Sequence, residues 1–259
     1  MFGSHIKTTS VINAAKKIHK YGGNIFQIML PKDQSDTEEI REYLIDNNIK
    51  VVIHSSYTFN IAISDPWFID EIVNEIKYAG KIGAYGVVIH FGKSKDLNLS
   101  VAYNNMYINL LKINSLTSDY SDVLLLLETT SSQGSELCSK LEDLALFFNK
   151  LKFNKRFKLC IDTCHIFQVG YDIRNKDSFK LYLEAFEELI GLNKVGLIHL
   201  NDSLEDIGGR RDRHQNIGKG YIGYTGLMLF YKYFKNKVPI ILETPNKGYK
   251  TEIKLLKDI

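Results

Sequence analysis

The sequence has no apolar run approaching the ~20 consecutive residues that a membrane-spanning helix needs, which excludes the helical membrane classes. Cysteine is scarce. Cys138, Cys160 and Cys164 form an odd set without CxxC spacing, so neither a disulfide framework nor a thiolate cluster is expected, and a reducing compartment fits. Prolines number four, and no low-complexity tract, repeat or linker interrupts the chain. The opening stretch, Met1 to Lys7, lacks the basic-then-apolar order of a secretory signal, and the expectation is an intracellular protein. Neither sign of charge prevails: 33 Lys and Arg against 30 Asp and Glu leave +3, which suits a nucleic-acid partner without arguing for one.

What is present is an alternation. Short β-branched apolar runs near 2–5, 24–29, 50–54, 86–90, 123–128, 157–162, 195–201 and 238–243 read as strands. Helical spacing follows near 11–21, 37–48, 68–82, 100–117, 135–149, 178–190 and 225–235, with a short helix at the C-terminus. Asp36 or Thr37 leads into Glu38 and Glu39 as a helix start, and Asp65-Pro66 opens the third helix. Strands alternating with helices imply parallel pairing, because a parallel pair needs a crossover. The 259 residues accommodate one α/β barrel of ~250 residues as a single domain.

The strand ends favour closure over an open sheet. Six successive apolar runs finish in His54, His90, Glu128, Asp162, His199 and Glu243. In a closed (β/α)8 barrel these ends meet on one rim, where active sites form. His165, three residues after Asp162, and Asp212 and His214, in the long loop after the seventh strand, extend the set. One such residue at a strand end is usually a satisfied polar group. Six in succession would be a costly accumulation of buried charge without cations. The set exceeds the three or four ligands one zinc takes and suits two or three ions sharing a carboxylate. A mixture of imidazole and carboxylate favours Zn²⁺ or Mn²⁺ over Mg²⁺ or Ca²⁺.

Four blocks carry a resemblance: Glu128-Thr129-Thr130 with Gln133-Gly134; Asp162-Thr163-Cys164-His165; His199-Leu200-Asn201-Asp202; and Asp212-Arg213-His214 running on to Gly218-Lys219-Gly220-Tyr221-Ile222-Gly223. Gly3-Ser4-His5 and Glu243-Thr244 join them at the two ends. In order and spacing the chain resembles the endonuclease IV family of TIM-barrel nucleases from about residue 3 to 244. The resemblance implies a single TIM barrel, duplex DNA containing abasic sites as partner, three zinc ions per chain with manganese an option, and action as a monomer in base-excision repair. It implies that His54, His90 and Glu128 hold one zinc. Glu128 bridges to a second, completed by Asp162, His199 and Glu243, and His165, Asp212 and His214 hold the third. Glu128, Glu243, His90 and Asp162 are expected to act most directly in catalysis. The reaction implied is hydrolysis of the phosphodiester 5′ to the lesion, leaving a 3′-OH and a 5′-deoxyribose phosphate.

Lesion recognition is separable from this chemistry, since a nucleotide without its base is the least costly to extrude. By resemblance Tyr57 is the aromatic wedge. Thr58 replaces the aliphatic residue that often assists it, the loop from Pro31 to Asp36 lacks the family's inserted arginine, with Lys32 as stand-in, and Phe91 stands where proline is common. Lys93, Arg210, Arg211, Arg213 and Lys219 (with Lys95 beside Lys93) are the expected phosphate contacts. His5 is expected beside the site, His19 on a helix surface, Trp67 and the cysteines in packing. A sugar isomerase or epimerase barrel would also use strand-end Glu, Asp and His but has no need for Asp212 and His214 as a pair.

Overall fold

The computed structural model describes residues 1–64 and 66–259, so the expected helix start at Asp65 lies outside the described residues. Eight parallel strands close into a barrel: β1 (Phe2–His5), β2 (Ile25–Met29), β3 (Lys50–His54), β4 (Gly86–His90), β5 (Leu124–Glu128), β6 (Phe157–Asp162), β7 (Val195–His199) and β10 (Ile240–Leu242). β8 (Asp202–Ser203) and β9 (His214–Gln215) form a small antiparallel ribbon above the rim. The fold is the expected single-domain TIM barrel.

Among the described residues the α-helices are α1 (Val11–Tyr21), α2 (Thr37–Asp46), α3 (Ile69–Lys81), α4 (Leu99–Leu116), α5 (Leu141–Phe148), α6 (Thr163–Val169), α7 (Lys176–Leu189), α8 (Gly223–Phe234) and α9 (Tyr249–Lys257). α1 shows why the wall forms. Val11, Ala14, Ala15 and Ile18 recur at helical spacing and are buried, Ser10 accepts from Asn13 N at 3.3 Å, and Gly22 ends the helix at φ 93°.

Two apolar bodies result. The larger lies between barrel and helices. The smaller fills the barrel itself with Ile25, Val52, Val88, Leu126, Cys160, Leu197 and Ile241, one from each strand except β1. This layer lies below the C-terminal strand ends and floors the site.

Several expectations are corrected. α6 was not anticipated: seven residues abutting a strand offer too little periodicity to read. α5 starts at Leu141 rather than near 135, because the preceding loop holds Ser132 and Cys138 at positive φ. Asp36 precedes α2 but makes no capping bond; it sits at φ 54° and its carboxylate accepts from Ser35 Oγ. Trp67 is 70% exposed, with edge contacts to Phe59 and Phe68, so it is not a packing residue in the expected sense. The three cysteines are buried, as expected.

Candidate metal centre

The register of the barrel assembles the site. β4 pairs with β5 so that His90 lies opposite Glu128, and β6 with β7 so that Asp162 lies opposite His199. His54, His90, Glu128, Asp162 and His199 are the last residues of their strands, and Glu243 follows β10 directly. Parallel strands end on one side, so apolar runs of ordinary length place all six on one rim.

Glu128 is the hub. Its Oε2 lies 3.0 Å from His90 Nε2 and 3.3 Å from His54 Nε2, and its Oε1 lies 2.8 Å from His199 Nδ1. His199 Nδ1 is also 3.0 Å from Glu243 Oε2. On the far side, Asp212 Oδ1 is 3.2 Å from His165 Nε2 and 3.1 Å from His214 Nε2, and the latter is 3.4 Å from Asp162 Oδ2. All nine residues that the sequence singled out as ligands therefore converge. Four groupings have donor atoms close enough to share an ion: His54, His90 and Glu128; Glu128, Cys160 and His199; Glu128, Asp162, His199 and Glu243; and Asp162, His165 and His214. Asp162 thus faces two of them.

The tautomers carry the chemical information. His54 donates from Nδ1 to the Ser55 carbonyl at 2.7 Å, and His165 from Nδ1 to the Thr129 carbonyl at 2.7 Å. His199 donates from Nε2 to Gln27 Oε1 at 2.9 Å. With one nitrogen of each ring committed as N–H, the other presents a lone pair to a carboxylate. Two lone pairs at such distances repel unless a proton or a metal cation lies between them. His165 Nε2 and His214 Nε2 are buried and have no hydrogen-bond partner, although each is within 3.2 Å of Asp212. Among the described residues, no Lys or Arg pairs with Glu128, Asp162, Asp212 or Glu243. The nitrogen and oxygen donors fit two or three divalent ions, and the imidazole share fits zinc or manganese.

Without ions the same groups compensate one another by protonation. Burial opposes the imidazolium at His165, yet Asp162, Asp212 and Glu128 outweigh it and hold the ring well above its ordinary value. His199 behaves alike beside Cys160, Glu243 and Glu128, and His214 is lifted to about 9 against burial by Asp162 and Asp212. Conversely, burial raises Glu128, but His199 and His90 hold it well below the carboxylate range.

Neighbours that the sequence left without a role fix this cluster. Gln27, the one polar side chain within β2, donates to Glu243 Oε1 at 2.7 Å while accepting from His199. Asn201 donates to Asp162 Oδ2 at 2.6 Å and accepts from Glu243 N at 2.7 Å. Asp162 Oδ1 caps α6 at His165 N, 3.0 Å away, which aims His165 inward. A polar residue inside an apolar run was the available signal for Gln27. His5 lies 3.9 Å from Glu243, and burial lowers its pKa to about 4. Cys160 lies in the floor beneath Glu128 and His199, and burial pushes its thiol up to about 12.

Above the cluster opens a cleft of about 780 Å³. Tyr57, 74% exposed, lines it. The other expected DNA contacts are absent from its walls. Lys93 pairs with Glu136 at 3.3 Å, Arg211 pairs with Glu205 at 3.5 Å, and Arg213 donates to the Asp212 carbonyl. Lys32, Arg210 and Lys219 are exposed outside the cleft. The basic residues that do line it are Lys7, Lys17 and Lys247. None was singled out in the sequence, since two lie in the first β–α unit and one near the C-terminus.

The model of the AP endonuclease 2 family, described as a xylose isomerase-like TIM barrel, matches residues 15–259. A probable endonuclease 4 of Mycoplasma mobile is 34% identical, over 99% of this chain and 97% of its own length. The chain belongs to the endonuclease IV family. Among solved structures, the endonuclease IV of Thermus thermophilus superposes with a TM-score of 0.84 at 24% identity, over 99% of this chain and 97% of that one. A D-tagatose 3-epimerase-like protein superposes at 0.77 with 20% identity, over 99% and 96%. At these identities the superpositions speak to fold alone. Within the endonuclease IV family frame, the nine converging residues occupy the strand ends and the loop after β7.

Proposed function

We propose that this chain is a metal-dependent apurinic/apyrimidinic endonuclease of intracellular base-excision repair, with duplex DNA containing abasic sites as substrate. The observation that carries the metal dependence is the facing of imidazole lone pairs and carboxylates around Glu128 and Asp212. His54, His90 and Glu128 would hold one zinc, Glu128, Asp162, His199 and Glu243 a second, and His165, Asp212 and His214 a third. Bound divalent ions supply Lewis acidity, which lowers the pKa of water and neutralises phosphoryl charge. The chain's own residues do the rest. Glu128 sets the spacing of the two groups it joins. Gln27 and Asn201 hold Glu243, His199 and Asp162 in orientation through the bonds described above. Hydrolysis adds water across the phosphodiester 5′ to the lesion: a P–O bond forms, the P–O3′ bond breaks, and the 3′-oxygen leaves with a proton. Family membership and the pairing of Asp212 with His214 favour this reading over sugar isomerisation. The decisive assay is a duplex with one synthetic abasic site beside its intact counterpart, given to zinc-loaded enzyme. Incision only of the lesion strand, immediately 5′ to the site, is expected; equal nicking of both duplexes, or none, would reject the assignment.

Binding divides between the cleft's aromatic and basic walls. Tyr57 stacks in the gap left by the lost base, and Lys7, Lys17 and Lys247 contact phosphates. Tyr57→Ala should therefore cost ~1–3 kcal/mol in affinity for abasic duplex and much less for intact duplex. Each lysine-to-alanine change should weaken both duplexes alike and reduce the slope of log K against log salt by about 0.9. Paired titrations across a salt series read both effects. Lysine variants with unaltered slopes would move the phosphate contacts back to Lys32 or the Arg210–Arg213 loop.

A further inference from the structure

The segment Gly218-Lys219-Gly220-Tyr221-Ile222-Gly223 has the look of a phosphate cradle: glycines and a lysine leading into the N-terminus of α8. Its amides do converge on an anion, but the anion is internal. Asp202 Oδ2 accepts from Gly218 N at 2.9 Å and Gly220 N at 3.0 Å. Asp202 Oδ1 accepts from Ser203 N at 2.8 Å, Ile222 N at 3.0 Å and Gly223 N at 3.2 Å. The carboxylate is fully buried, and through Ile222 and Gly223 it satisfies two of the otherwise open amides at the start of α8. The glycines follow from this wrapping. A Cβ at Gly220 would come within 2.2 Å of the Ser203 carbonyl and 2.6 Å of Asp202 Oδ1, and Gly218 sits at φ 75°. The cradle is already filled and offers no room for a DNA phosphate.

A second buried side chain closes the other end of the same loop. Gln168, on α6 three residues beyond His165, donates from Nε2 to Ser203 Oγ at 2.8 Å and to the carbonyls of Glu205 and Asp206 at 2.9 and 3.0 Å. Its Oε1 accepts from Arg211 N at 3.2 Å. Between these two anchors lie Asp212 and His214, on a stretch whose residues 208–211 and 213 are exposed. An exposed loop has little apolar burial to hold it, so its polar anchors decide its geometry.

We propose that Asp202 and Gln168 are positioning residues: together they hold the loop between β7 and α8 so that Asp212 and His214 face His165 and complete the third ion's site. The inference rests on the reading of those three residues as ligands, and the experiment separates the two. In Asp202→Asn the volume is kept, but an NH₂ group replaces one of the oxygens facing the loop amides. Three measurements are made on the full-length protein: zinc stoichiometry and affinity by competition with a chromophoric chelator, turnover with and without excess zinc, and trypsin cleavage after Arg210, Arg211 and Arg213. One zinc equivalent of three should weaken ~10–100-fold, the range seen when the groups supporting metal ligands are removed, with the other two unchanged. Turnover should return in excess zinc, and tryptic cleavage in this loop should accelerate at least about tenfold. Wild-type protein that takes up fewer than three equivalents rejects the ligand reading itself. Given three in the wild type, unaltered zinc binding, or an equal weakening of all three equivalents, overturns the positioning role. Should Asp202→Asn fail to fold, Gln168→Leu carries the same expectations from the other end of the loop.

Discussion

Replacing Glu128 by alanine or glutamine is expected to abolish incision of an abasic duplex while leaving the barrel folded. Four imidazoles lie within 4 Å of this carboxylate: His54, His90 and His199 at 3.3, 3.0 and 2.8 Å, and His165 at 3.8 Å. Changes to residues that merely support metal ligands cost ~10–100-fold in metal affinity or activity, so removing the carboxylate that joins two groups should exceed the upper end of that range. The fold depends instead on strand pairing and on the apolar layers, neither of which contains the Glu128 side chain. Turnover, zinc content and circular dichroism of the glutamine variant decide the matter. An enzyme within tenfold of wild-type turnover would remove Glu128 from its proposed role.

Stripping the metal should lower the melting temperature, and the deficit should grow as pH rises. In the metal-free fold His54, His165, His199 and His214 are held above the ordinary histidine value, His214 at about 9. Each raised imidazole contributes stability that is complete below the unfolded value near 6.5 and is lost as pH climbs through the folded one. The metal-free protein therefore loses stability between about pH 6.5 and 9. Toward acid the opposite side fails, because Glu128, Glu243 and Asp212 are held below the carboxylate range and their contribution is lost as they protonate. Bound ions replace the protons between imidazole and carboxylate, and they bind better as the imidazoles deprotonate. The gain in melting temperature from zinc should thus be larger at pH 8.5 than at pH 6. Melts with and without chelator across this interval provide the check, and a gain independent of pH would contradict the facing of lone pairs described here.

Much of the site could be read in the sequence because its geometry is delegated to a regular element. A parallel barrel turns six strand ends into one rim, so His54 and Glu243 line one cleft although nearly 190 residues separate them. Where irregular backbone sets the position, the sequence was less informative. α6 escaped notice because its capping carboxylate, Asp162, doubles as the end of a strand. Asp202 was visible within a motif, but its five amide partners are gathered from residues 203 to 223 by a loop with no periodicity. Charge was the weakest guide. Arg211 and Lys93 have carboxylate partners, whereas Lys7, Lys17 and Lys247 reach the cleft because the first and last strands are neighbours in the closed barrel.

The apolar floor has a consequence for traffic. Ile25, Val52, Val88, Leu126, Cys160, Leu197 and Ile241 are each fully buried, so this layer closes the route through the barrel beneath the cluster. The cleft above is then the route by which water, ions and substrate reach it. Under the proposed function, a duplex lying across the mouth would stand between the bound ions and bulk solvent. Exchange of ions would then slow while DNA is bound, and the enzyme would keep them most securely while it is at work.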